Sequence, residues 1–164
     1  MRQDDAQWAR PRNNARRQIP PRFHSQIEST NCLRFDGHRD DDFRTLVLMT
    51  GNGGGKWEDV SGDLPAGSPI HVVREDPGNP DVLYCGNEQA AFVTFDRGEH
   101  WLPLGGESLP TVPVHDLVLH PREKDLVAAT HGRSLWILDG AGCLADLPRV
   151  AGEGLHLFPV ADAT

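Results

Sequence analysis

Two octets of the sequence share one pattern of residue types at a spacing of 44 positions. TGNGGGKW occupies 50–57 and TFDRGEHW occupies 94–101, and both place a hydroxyl, an Asp or Asn, a glycine and a tryptophan at the same steps. The similarity continues, because LPAGSPIHVVREDPGNPDVLY (64–84) parallels LPTVPVHDLVLHPREKDLVA (109–128). A fixed period of about 40 to 45 residues indicates repeated copies of one structural unit.

Short apolar or alternating runs of strand length recur along the chain, and Gly, Pro, Asn and Asp separate them. None of the runs shows a helical period, so we predict an all-β chain. The runs are 31–35, 45–49, 57–60, 70–73, 82–85, 91–95, 101–104, 114–119, 125–129 and 134–138.

Four short strands per repeat are typical of the blades of a β-propeller. The sequence predicts a partial propeller of about three four-stranded antiparallel blades, at approximately 31–62, 69–106 and 113–159, with the second copy the most complete. The third copy has strand-like runs but no later tryptophan, so the run LHLFP (155–159) is expected to supply its fourth strand.

The octets have a physical reason to recur at the end of a strand. The Asp or Asn accepts hydrogen bonds from turn amides, the glycine takes a left-handed backbone, and the hydroxyl satisfies another turn group. The tryptophan then begins the next strand and is expected to lie buried between sheets. The residues expected in this structural role are Thr50, Asn52, Gly54, Trp57, Thr94, Asp96, Gly98, Trp101 and, in the third copy, Asp139.

TFDRGEHW, together with FDGHRDDDFR (35–44) and HLFP (156–159), resembles the Asp-box (BNR) repeat family of glycosyl hydrolase-like and sortilin-type propellers. The resemblance covers about 31–159 and is to the C-terminal blades only. Family members are several times longer and close whole rings, so the resemblance implies a C-terminal fragment of a larger protein. Its expected partners are the missing blades of the same propeller, or further copies through self-association.

The first 22 residues differ from the rest in charge. Six arginines against two aspartates make 1–22 a basic arm, expected to be disordered or non-homologous, while 23–164 forms the acidic propeller part of a chain with net charge −8. An acidic body repels phosphate backbones, so nucleic acid is not an expected partner. The sequence shows neither a signal peptide nor an apolar run for a membrane, and the compartment cannot be read from it; the family is commonly secreted or periplasmic.

Two function classes stay open. A glycoside hydrolase, sialidase-like or xyloglucanase-like, needs two carboxyl groups flanking a sugar, whereas a binding propeller holds a glycan or peptide without turnover. We favour non-catalytic binding or structural blades, with no catalytic residue assigned, and we expect neither a cofactor nor a metal site, since the cysteines lack ligand spacing. His71 and His115 recur at one repeat, which favours a packing role. The candidates to line a cleft are Asp36, His38, Arg39, Asp41, His131 and Arg133, with solvated loops and turns as the alternative reading.

Overall fold

The computed structural model describes residues 31–34, 41–106 and 109–158, and these form three antiparallel sheets. The fold class predicted from the sequence is therefore confirmed as all-β. Asp36, His38 and Arg39 lie outside the described residues, as does the basic arm 1–22.

The second sheet is the complete one, as the repeat predicts. Its strands follow one another in space in chain order, β4 to β7. The first sheet has three strands among the described residues, in the order β1, β2, β3, and the third has three in the order β10, β9, β8. The strands are β1 Asn31–Arg34, β2 Val47–Thr50, β3 Glu58–Asp59, β4 Ile70–Asp76, β5 Asn79–Asn87, β6 Ala91–Thr94, β7 Leu102–Pro103, β8 Val114–Leu119, β9 Leu126–Thr130 and β10 Leu135–Leu138.

The chain ends differently from the expectation for the third repeat. After β10 it forms a short 3-10 helix, Ala141–Ala145, and one turn of α-helix, α1, Leu147–Val150. The prediction that 155–159 supplies a fourth strand is wrong for the described residues, because 155–158 form no strand and Leu155 and Leu157 are 82% and 84% exposed. The 3-10 helix instead contacts the start of β5, where Asn79 Nδ2 donates to the carbonyl oxygen of Ala145 at 2.7 Å.

The three sheets stack face to face through two apolar clusters. We call the face of a sheet that is turned toward the next sheet along the chain its front, and the opposite face its back. Val47 and Met49 on the front of the first sheet share a cluster with Leu83 and Phe92 on the back of the second. The second cluster joins the front of the second sheet to the back of the third, with Val72, Tyr84 and Val93 on one side and Leu117, Leu126 and Ala128 on the other.

Alternation along the strands explains why each sheet has two apolar faces. Neighbouring residues of a strand point to opposite faces, so Val72 and Val73 enter different clusters. All four residues of β6, Ala91–Thr94, are buried for this reason. Within the described part of the chain, no helix is long and apolar enough to cross a membrane.

Candidate functional site

Two histidines stand at equivalent bulges in neighbouring sheets. The pairing of β4 with β5 shifts between Ile70 and Val72, and His71 is the extra residue. The pairing of β8 with β9 shifts at the corresponding place, where His115 is the extra residue. A β-bulge bends its strand and re-aims the side chain that it carries. Each imidazole is therefore placed by the same local feature, a β-bulge at the equivalent position of its repeat.

The two bulges bring these imidazoles into contact. The rings of His71 and His115 are stacked, with centroids 4.2 Å apart and planes 17° from parallel. His131, whose backbone N–H donates to the carbonyl of Pro113, adds an edge contact with a centroid distance of 5.3 Å to His115. The result is a row of three imidazoles where the third sheet meets the second.

A cavity of about 270 Å³ opens beside this row. Basic side chains from the first two sheets reach it. Arg34 Nη1 donates to the carbonyl oxygen of Ile70 at 3.2 Å, and Arg74 Nε donates to that of Leu117 at 3.1 Å, so each arginine ties its own sheet to the next one. The lining residues are Cys32, Arg34, His71, Val72, Val73, Arg74, His115 and Asp116.

Acidic partners balance the basic groups at this cleft. Glu88 Oε1 lies 2.9 Å from His71 Nε2, and Asp116 Oδ1 accepts a hydrogen bond from Arg74 Nη2 at 2.8 Å. Burial lowers the pKa of His71, although the Glu88 carboxylate acts in the opposite direction. The His71 ring is therefore held neutral to lower pH than an exposed imidazole, which suits its stacking on a second imidazole.

Cys32 is the thiol of the cleft. Burial raises its pKa to about 12, and the charge of Glu75 acts in the same direction. The sulfur is consequently a protonated thiol near neutral pH, and it is unsuited to act as a nucleophile.

Of the residues expected in a cleft, one joins this cluster. His131 does so through its contact with His115. Arg133 is exposed, and its carbonyl accepts a hydrogen bond from Trp136 Nε1 at 2.9 Å, so its main chain serves the turn before β10. Asp41 is exposed with a left-handed φ of 54° and does not line the cavity.

The sequence did not place Arg34 or Arg74 in a cleft, and it gave the two stacked histidines a packing role only. The sequence carried one signal for the histidines, which is their recurrence at a single repeat spacing. That recurrence favours a packing role, and the stacked rings do pack on one another. Their position at the cavity follows from the bulges, and the local composition of the sequence does not indicate a bulge.

The better octet, 94–101, forms a turn that its own side chains close. Thr94 Oγ1 donates to Asp96 Oδ1 at 2.7 Å and accepts from the N–H of Gly98 at 2.9 Å. Asp96 Oδ1 also accepts from the N–H of His100 at 2.9 Å. Gly98 has a left-handed φ of 92°, and a Cβ there would collide with the carbonyl of Val60 in the neighbouring sheet.

The first octet repeats these hydrogen bonds with an amide in place of the carboxylate. Thr50 Oγ1 donates to Asn52 Oδ1 at 2.9 Å and accepts from the N–H of Gly54 at 3.0 Å. Asn52 Oδ1 accepts from the N–H of Lys56 at 2.8 Å. Gly54 has the same φ of 92° as its counterpart. The two turns therefore share one geometry although only one carries an aspartate.

The two tryptophans of the octets differ in burial. Trp101 is 5% exposed, and its Nε1–H donates to the carbonyl of Val60 at 3.0 Å. Its backbone N–H donates to Asp63 Oδ1 at 2.6 Å. Trp57 is half-buried, and its Nε1 has no hydrogen-bond partner among the described residues. The expected burial of Trp101 between sheets is what the structure shows.

The third repeat does not place Asp139 in such a turn. Counted from the two bulges, Leu138 holds the place in the third sheet that Thr94 holds in the second. Gly140, not Asp139, then follows at the position of the aspartate. The third repeat is one residue shorter between its bulge and β9 but one residue longer between β9 and β10, so the spacing of 44 residues is kept. Asp125 Oδ1 caps this turn instead, by accepting from the N–H of Gly140 at 2.8 Å.

Three exposed side chains at the better octet have ligand atoms close enough to share a cation. The atoms of Asp96, Glu99 and His100 lie within 4.8 Å of one another. The turn itself accounts for two of them, since His100 Nδ1 lies 2.7 Å from Asp96 Oδ2. Their proximity is thus a consequence of the turn, and the group does not change the expectation that the chain has no metal site.

No protein-family model and no curated protein matches the chain.

Proposed function

We propose that this chain is a non-catalytic binding module, built from blades of the Asp-box propeller type, that holds a glycan or a peptide in the histidine-lined cleft. The observation that carries the proposal is the convergence of two stacked imidazoles and two arginine side chains on one cavity of about 270 Å³, with a third imidazole, His131, in contact with His115. Ligand sites combine concavity with a few fixed polar groups and some apolar or aromatic surface. This cleft offers all of these.

The cleft favours binding over hydrolysis. A glycosidase needs one protonated carboxyl group and one ionised carboxylate facing the same sugar. Among the described residues that line the cavity, Asp116 is the one carboxylic acid, and its Oδ1 accepts a hydrogen bond from Arg74. The lining therefore offers no facing pair of carboxyl groups. A glycoside hydrolase that contributes part of an active site remains the alternative.

The rigidity of the cleft supports the same proposal. His71 and His115 are carried by sheets rather than by loops, and Arg74 bridges the second and third sheets. A site on packed strands is held more precisely than one on a mobile loop, which reduces the entropy lost when a ligand binds. Within this proposal, further blades, from a longer protein or another copy, extend the same surface.

Glycan and peptide arrays test the proposed function. We expect the intact chain to bind a restricted set of ligands, and His115→Ala to weaken that binding by about tenfold or more, since it removes the central ring of the row. His156→Ala is the matched control, because His156 is exposed in the tail and bonded to Glu153. Binding that is equal in wild type and His115→Ala would contradict the cleft assignment, and so would an absence of binding on both arrays.

An activity assay separates the two candidates. Aryl glycosides release a coloured phenol when hydrolysed, and we expect no release above background from the intact chain. Turnover that disappears in Asp116→Asn would favour the hydrolase alternative instead.

A further inference from the structure

The front of the third sheet is an apolar face that no other part of the described chain covers. Val118, Val127 and Ile137 form one row across its three strands, and Leu135 stands in the next row of the same face. Val118 is 49% exposed, Ile137 63% and Leu135 66%. Alternation puts the residues between these rows, such as Leu117, on the back of the sheet, where they are buried.

The equivalent rows of residues in the second sheet show what normally covers such a face. Tyr84 and Val93 hold the positions that Val127 and Ile137 hold in the third sheet, and they are 1% and 3% exposed. They are buried because the back of the third sheet lies on them. The front of the first sheet is likewise buried by the second. Each front face that has a following sheet is covered by it, and the third sheet has no following sheet among the described residues.

The remaining residues of this sequence are too few to build the cover. One repeat, and hence one sheet, takes about 44 residues, as the spacing of the two octets shows. The longest segment outside the described ranges is 1–30, and its first 22 residues carry six arginines without apolar periodicity. Among the described residues, the back of the first sheet, which carries Leu48, packs in neither apolar cluster, so a second copy of this chain can supply a sheet face of the same kind.

We propose that the front of the third sheet docks a second copy of this chain. The second copy would lay a sheet face on the row Val118, Val127 and Ile137, in continuation of the stacking that already joins the three sheets. Two sheets stacked in this way lie about 10 Å apart with their side chains interleaved. An exposed apolar sheet face of this kind is typical of an interaction surface. The proposal does not depend on a ligand in the cleft.

Sedimentation velocity over a wide range of concentrations tests the proposal. We expect the wild-type chain to associate as its concentration rises. Ile137→Asp should weaken association by about tenfold or more, because docking would then bury an unpaired carboxylate. Leu157→Asp makes the same chemical change at a leucine that is 84% exposed outside the sheet, and it should associate like wild type.

Three results would overturn the proposal. These are a wild-type chain that stays monomeric at every concentration, an Ile137→Asp variant that associates as tightly as wild type, and equal weakening by Leu157→Asp. Thermal unfolding followed by circular dichroism checks that each variant is folded, which is expected because both positions are exposed. If Ile137→Asp fails that check, Leu135→Asp, on the same face, takes its place.

Discussion

Single residues close the turns of this protein, and the surroundings of each residue decide how much it contributes to the stability of the fold. The hydroxyl, the aspartate or asparagine and the glycine of the two octets make the same three hydrogen bonds in both sheets. The tryptophans that end the octets differ, since Trp101 is buried against the first sheet and bonded to Val60, whereas Trp57 is half-buried. The same motif is therefore expected to be worth different amounts of stability in the two places.

Trp101→Ala should lower the free energy of unfolding by about 3–5 kcal/mol, through lost burial and a cavity that the sheets cannot fully close. Trp57→Ala should cost less, about 1–2 kcal/mol, because Trp57 is already partly in water. Denaturant unfolding of both variants measures the difference. Equal losses, or a loss below about 1 kcal/mol at Trp101, would show that burial between sheets does not set its contribution.

Asp96 should make stability depend on pH below about pH 4. Burial acts to raise its pKa, but hydrogen bonds from His100 and Thr94 outweigh it and lower the pKa from 3.8 to about 2. A carboxyl group whose pKa is lower in the folded state stabilises the fold above its unfolded pKa and loses that contribution as the pH falls through its folded pKa. The free energy of unfolding should be larger for wild type than for Asp96→Ala at pH 5, and this difference should become smaller as the pH is lowered to 2.

His100 provides the complementary trend at higher pH. The hydrogen bond to Asp96 raises the pKa of His100 in the folded state. The contribution of His100 to the stability of the fold is therefore present at low pH and is lost as the pH rises through this folded pKa. Asp139→Ala is the control for both trends, because Asp139 is exposed and its carboxylate accepts no hydrogen bond from the described residues. Urea unfolding at each pH gives the comparison. An Asp96→Ala difference that stays constant from pH 7 to pH 2 would contradict the assigned role.

At the scale of strands and sheets, the sequence predicted most of what forms. Alternating apolar residues bounded by Gly, Pro and Asn marked the strands, and the octet repeat predicted that the second copy would be complete. The bulges at His71 and His115 could not be predicted, because one extra residue in the pairing leaves no trace in composition. The sequence likewise misplaced Asp139 by one residue, because the third repeat is one residue shorter before β9 and one residue longer between β9 and β10, and the residue types do not show where these changes fall.

Gly86→Ala should destabilise the contact between the second and third sheets. A Cβ at Gly86 of β5 would lie 2.6 Å from the carbonyl oxygen of Val114 and 2.8 Å from its Cγ1, so the sheets would have to separate. We expect a loss of about 1–3 kcal/mol in unfolding free energy. Gly51→Ala is the control, because its Cβ would meet nothing within 4 Å. A Gly86→Ala variant as stable as Gly51→Ala would show that these sheets are not tightly packed.

For the whole molecule, the repeated plan accounts for both candidate surfaces. Stacking each sheet on the next buries two apolar clusters, and within the described part of the chain it leaves the front of the third sheet uncovered. The same stacking brings the first strands of the second and third sheets side by side, so residues one repeat apart in sequence meet at the cleft. The sequence could suggest that His71 and His115 were equivalent, but only the packing of the sheets shows that they touch.

The central claim is that equivalent bulges of successive repeats place their histidines together at one cleft. Nuclear Overhauser spectroscopy of the imidazole protons, assigned with His71→Gln and His115→Gln, tests it most directly. The stacked rings are 4.2 Å apart and the edge contact is 5.3 Å, so cross-peaks should join His71 to His115 and His115 to His131. A folded protein in which none of these cross-peaks appears would contradict the account.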